Sequence, residues 1–169
     1  MIQTIKNYFW RRKTRSILSK YVSQKAAKDL LDGKIKTPQI GQFDKKNLGV
    51  VLALVKFSSE IGKNMETISN LAFEYNASYE TMTNGLMIFC FGRFPNEQNI
   101  EEHRQAFVKT LGASLGEAVK IVHGNGTGLV GLAGNKSLAI YTFIMPKFAD
   151  AISTLVSLKD GEIKEFTFS

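Results

Sequence analysis

The stretch 119–155, VKIVHGNGTGLVGLAGNKSLAIYTFIMPKFADAISTL, constrains the fold of this chain more than any other. It reads as a strand over 119–122, a glycine-dense turn, a second strand over 129–132, a third over 138–144, and then a helix. The glycines at 124, 126, 128, 131 and 134 permit positive φ and close backbone approach, as tight strand connections require. Pro146 fits the first helical position, where a missing N–H costs nothing. Phe148, Ala151, Ile152, Leu155 and Val156 then share one apolar face for packing on a sheet. Glycines ahead of strands invite a phosphate-cradle reading. The next element is a strand, however, whereas dinucleotide and phosphate-loop sites both rely on a helix N-terminus. The glycines are therefore read as strand-turn geometry.

A chain of 169 residues suits one domain with a substantial core. The single cysteine, Cys90, excludes an internal disulfide; within the apolar run LMIFCF it reads as a buried structural thiol in a reducing compartment. No apolar run reaches the roughly 18 residues of a spanning helix, and no secretory core is recognised. The expected location is cytoplasmic, with peripheral association at the inner membrane face as an extension.

The net charge of +7 is unevenly placed. Residues 1–28 hold eight Lys/Arg and no acid, which leaves 14 Lys/Arg against 15 Asp/Glu in the remainder. The basicity belongs to a leader, read here as an amphipathic helix over 1–22, with Ile2, Ile5 and Phe9 on one face. Such a helix packs on its own domain or a dimer mate, or docks on a membrane surface or signalling partner. In the docking reading Phe9 and Trp10 anchor it, while Arg11, Arg12, Lys13 and Arg15 face anionic groups. Nucleic acid is disfavoured, because a basic helix without a recognisable binding fold is weak evidence. Residues 23–48 comprise a short lead-in helix, with Ser23 as cap and Gly33 as stop, and a polar connection.

The body is assigned to 49–169. Gly49–Phe57 is a nearly unbroken apolar run, expected as a central strand buried on both faces. Ser58 or Ser59 is placed to cap a helix whose Ile61, Met65, Ile68, Ala72 and Tyr75 share a face. Tyr79–Thr83 and Leu86–Phe91 flank Asn84-Gly85, a strong hairpin signal. Asn99 with Glu102 resembles a capping box, and Ile100, His103, Phe107 and Leu111 mark the inward side of the next helix. LKDGEIKEFTF reads as a last hairpin turning at Asp160-Gly161. The expected order is strand, helix, hairpin, helix, three strands, helix, strand. That order fits an α+β sandwich with a ferredoxin-like βαββαβ core and extra strands.

Several segments, in this order, resemble the class III nucleotidyl cyclase homology domain, over about Ile17 to Phe166. LSKYVSQKAAKDLLDG is similar to the helix that precedes the family's first strand, and VVLALVKFSS to that strand, with Phe57-Ser58 for its Phe-Thr. NGLMIFCFG resembles the family hairpin ending in Phe-Gly. GNGTGLVGLAGNKSLAIYTFI is similar to its strand–strand unit, with Gly126, Gly131, Gly134, Tyr141 and Thr142 in register. FADAISTL and GEI match the closing helix and strand.

The resemblance implies attack of a ribose 3′-hydroxyl on the α-phosphate of a nucleoside triphosphate. Two metals held by two carboxylates, and a cation and an amide on the closing helix, serve that reaction. The groups are shared across a head-to-tail homodimer. This sequence departs at each position. The metal aspartates fall on Ala53 and Gly85, the purine-selecting lysine on Thr81, and the asparagine and arginine on Ala149 and Ser153. A slip of one residue brings Asp150 to the amide position, where it would repel triphosphate. The resulting expectation is a catalytically inactive, dimerising or regulatory module in signal transduction, without cofactor, with nucleotide binding disfavoured. The alternative is a divergent cyclase forming cyclic AMP or cyclic GMP with Mg or Mn, using Glu60 or Glu80 or a partner chain. His103 is expected on a helix surface or half-buried, and His123 in a turn. Neither has metal-ligand spacing, and GxSxG is absent.

Overall fold

The computed structural model describes residues 28, 31–33, 39–81, 83–94, 97–135 and 139–168. The chain separates into units Met1–Pro38 and Gln39–Ser169. In the first unit Lys28 and Leu31 are helical, and Gly33, at φ 68°, sits in the turn that ends the segment. The docking residues Trp10, Arg11, Arg12, Lys13 and Arg15, and Ser23, lie outside the described residues.

The second unit is built on one sheet. Its strands are β1 (Phe43–Val55), β2 (Ser78–Thr81), β3 (Leu86–Phe91), β4 (Val119–Gly134), β5 (Ala139–Ile144) and β6 (Ile163–Glu165). Its helices are α1 (Ile61–Glu74), α2 (Ile100–Leu115) and α3 (Phe148–Ser157). The order across the sheet is β2-β3-β1-β4-β5, and β6 also pairs with β4. The first four strands with α1 and α2 form the expected ferredoxin-like βαββαβ core. β1 is central and buried on both faces over 48–53, but it ends at Val55, so Lys56 and Phe57 lie outside the strand and Phe57 is 70% exposed. Val51, Ala53 and Val55 meet Ile68, Ala72, Phe107 and Leu111 from α1 and α2. Leu48, Val50 and Leu52 meet Ala151 and Leu155 from α3. Phe107 is the hub of the first layer, with ring centroids 4.8 Å from Phe89 and 5.6 Å from Phe91.

Three expectations about the strands are corrected. Residues 119–134 are one 16-residue strand, not two strands around a turn. Of its five glycines only Gly134 has positive φ. The others serve close approach: a Cβ at Gly124 would overlap the Phe166 carbonyl oxygen, and one at Gly126 would lie 2.7 Å from the Phe168 Cβ. Strand β1 begins at Phe43, so FDKKN is strand rather than connection, held by β4 through Phe43↔Gly131 to Asn47↔Thr127. The closing segment does turn at Gly161, φ 77°. It then runs parallel to β4, through Ile121↔Ile163 to His123↔Glu165, and makes no hairpin.

The helix ends also differ. α1 starts after Glu60 with no side-chain cap, and the Ser58 Oγ instead accepts the Glu60 N–H at 3.2 Å. Asn99 is the residue preceding α2, but in the left-handed region (φ 55°) it forms no capping bond, so there is no capping box. Lys147 (φ 54°) precedes α3, leaving Pro146 two residues ahead of the first helical residue, Phe148. Val156 is 62% exposed, because the sheet takes only Phe148, Ala151, Ile152 and Leu155. Asn84 (φ 62°) and Gly85 (φ 78°) do turn the β2–β3 connection, but β2 ends at Thr81 and Thr83–Gly85 form a 3-10 turn, so the pair is not the two-residue loop expected between Thr83 and Leu86. Among the described residues no helix is long and apolar enough to cross a membrane.

Candidate functional site

The positions singled out in the sequence fall into two groups. Ala53, Thr81 and Gly85 sit together at one end of the β1–β3–β2 corner. Met87 on β3 faces both Ala53 and Thr81 in register, and Gly85 lies beside Val55 of β1. Ala149 and Ser153 lie one turn apart on the exposed side of α3, where the Ser153 hydroxyl donates to the Ala149 carbonyl at 3.0 Å. The two groups do not meet within one chain. Ala53 belongs to the layer under α1 and α2, whereas α3 packs on the opposite face of the sheet.

A metal does not fit the first group. Ala53 has no exposed surface and faces apolar neighbours, where an unpaired carboxylate would be strongly disfavoured. Gly85 cannot carry a side chain without rebuilding the turn, since its φ is 78° and a Cβ would overlap the Val55 carbonyl oxygen. Among the described residues no three His, Cys, Asp or Glu side chains converge as a metal would need. Of the alternative carboxylates, Glu60 is exposed ahead of α1. Glu80 is engaged by Arg93 at 3.1 Å.

Sequence reasoning missed two buried arginines. Arg93 follows β3 and keeps only 7% of its surface. Its guanidinium carbon lies 5.5 Å from the Tyr141 ring centroid, 5.9 Å from Phe143 and 6.0 Å from Phe94. Its carbonyl accepts from Lys46 Nζ at 3.2 Å and from the Tyr141 hydroxyl at 3.3 Å. Burial pushes the Tyr141 phenol up, against the opposing pull of Arg93. Burial likewise raises the Cys90 thiol, with Arg93 opposing, so this cysteine is no nucleophile.

Arg104 on α2 is wholly buried and touches the Nδ1 of His123, which lies within β4 rather than in a turn. The signal for Arg104 was its spacing. Ile100, Arg104, Phe107 and Leu111 follow one helical face.

With this geometry in hand, comparison with known proteins bears on the fold. No family model matches the sequence, and no curated protein matches it. Solved structures do. The guanylyl cyclase Cya2 superposes with a TM-score of 0.57 at 11% identity, over 71% of this chain and 74% of that one. The guanylate cyclase domain of RhGC from Catenaria anguillulae, solved in complex with GTP, gives 0.57 at 12% identity, over 71% and 78%. A bacterial light-regulated adenylyl cyclase gives 0.61 at 12% identity, over 94% of this chain and 51% of that one. The chain therefore has the α+β fold seen in adenylyl and guanylyl cyclase catalytic domains.

Proposed function

We propose that this chain is a cyclase-like module that has exchanged catalysis for association or regulation. The observation that carries the reading is the rebuilt β1–β3 corner. Ala53 is sealed in the core, and Gly85 occupies a left-handed turn against the Val55 carbonyl. Two-metal chemistry needs a pair of ions held close together by anionic ligands, and this corner offers no charge to hold them. On the exposed side of α3, Ala149 and Ser153 bring neither the cation nor the amide that the resemblance implies there, and the exposed Asp150 beside them would repel a phosphate. A homodimer belongs to the same reading, since the resemblance implies a cleft formed between two chains.

The test is an assay of the purified full chain with ATP or GTP and Mn²⁺. No cyclic nucleotide is the expected outcome. Clear formation of cyclic AMP or cyclic GMP, abolished by Glu60→Ala or Glu80→Ala, would replace this reading with that of a divergent cyclase.

A further inference from the structure

Strand β6 is held to the sheet by few contacts. It pairs with β4 over three residues. Flanking bonds run from Ile121 N–H to the Glu162 carbonyl at 3.0 Å and from Phe166 N–H to the His123 carbonyl at 2.7 Å. Lys164 and Glu165 are exposed, and Ile163, 41% exposed, rests its side chain on Gly112 of α2. Its anchors are Phe168, which is fully buried, and Glu165, whose carboxylate is 3.4 Å from Arg104 Nη2.

Arg104 links that strand to His123. Its Nη1 contacts His123 Nδ1, its Nη2 also lies 3.9 Å from Glu101, and its Nε has no partner among the described residues. A guanidinium can only donate, so His123 Nδ1 must accept and the ring must be neutral, with its proton on Nε2. Protonating Nδ1 removes the acceptor and sets a second cation against a buried one. The groups facing the ring are few. Arg104 and, beyond it, Glu101 approach from α2, and Glu165 from β6. Strand β1 presents Gly49, Val51 and Ala53 on that face, none of them titratable.

We propose that His123, Arg104 and Glu165 form an acid-sensitive latch, in which protonation of His123 frees β6 and residues 166–168 from β4 while the rest of the sheet stays folded. β6 pairs over three residues and is exposed along its length, so a local opening is cheaper there than in the doubly covered core. Burial, and then the Arg104 charge, hold His123 below its ordinary 6.5, with Glu165 opposing. The sign is set by linkage. The released ring binds a proton more readily than the latched one, so closure is complete above 6.5 and is lost as pH falls from there towards the depressed value. Release uncovers the β4 edge at Ile121–His123 and the shallow strip over Gly124 and Gly126.

Hydrogen–deuterium exchange of the full chain between about pH 7.5 and about pH 5.5, corrected for intrinsic chemical rates, tests the latch. Protection of the amides of 163–168 is expected to fall about tenfold per pH unit below 6.5, while amides of β1 and β3 hold theirs. His123→Gln keeps an acceptor for Arg104 but cannot titrate, so it should abolish that fall. If circular dichroism shows that variant unfolded, NMR of the unaltered chain decides: the His123 ring and the amide shifts of 163–168 must share one midpoint. Protection that ignores pH, an unchanged fall in His123→Gln, or separate midpoints would overturn the latch.

Discussion

Arg93 is a cation set among the rings of Phe94, Tyr141 and Phe143 and tied to the Glu80 carboxylate. Its two sides are unequal, since the Arg93 side chain is 8% exposed and that of Glu80 41%. Loss of the arginine removes the packing of its stem and its contacts over the rings. Loss of the carboxylate charge leaves an ion that still has its rings, and a partly solvated pair contributes little. Arg93→Ala is therefore expected to lower stability by about 2–3 kcal/mol, and Glu80→Gln by less than about 1 kcal/mol. Urea denaturation of both variants measures the difference, and equal losses would show that the ion pair outweighs the aromatic cage. Arg93 was not legible in the sequence, and Arg104 only as a position on the inward face of its helix. An arginine is ordinarily a surface residue, and only the assembled sheet shows Tyr141, Phe143 and His123 converging on them.

Strand β4 shows the same limit at the scale of an element. The alternation Gly124, Gly126, Gly128 resembles turn chemistry, because glycine punctuates chains and breaks apolar periodicity. The period of two was itself the signal of a strand face left bare. That face is filled from elsewhere: Phe166 and Phe168 lie over Gly124 and Gly126, and Met145 and Leu48 over Gly128. The β1 core strand, the α1 face and the Asn84-Gly85 turn were readable because short-range pattern decides them. The length of β4 depends on its pairing with β1, more than 60 residues earlier in the chain, and the parallel course of β6 on pairs some 40 residues apart. Gly124→Ala should displace residues 166–168 and forfeit the burial of Phe168, at about 2–3 kcal/mol. Gly62 in α1 has open space around it, so Gly62→Ala should stabilise by about 0.5 kcal/mol through the unfolded chain. Thermal unfolding of the two variants should move in opposite directions. A neutral Gly124→Ala would mean that the closing segment does not rest on β4 in solution.

For the whole molecule, the placement of Ala53 and α3 on opposite faces of the sheet decides what a single copy can do. One chain cannot bring the β1–β3 corner and the outer side of α3 to a common ligand without breaking the sheet. A second copy can, if the outer side of α3 in one chain faces the corner end of the other. The absence of charge at Ala53, Gly85, Ala149 and Ser153 also removes the repulsion that clustered acids would impose on two copies lacking metal. An association surface depleted of charge in its centre is the usual composition of protein interfaces. Sedimentation equilibrium should therefore show a reversible species of twice the 18.8 kDa protomer mass, growing with concentration by mass action. Because the interface is expected to lack central charge, its dissociation constant should change little between low and high salt, whereas one held by the basic leader should weaken as ions screen it. A monomer at every concentration would remove the homodimer from the proposed function. A dimer that dissociates in salt would move the contact from the sheet to residues 1–28.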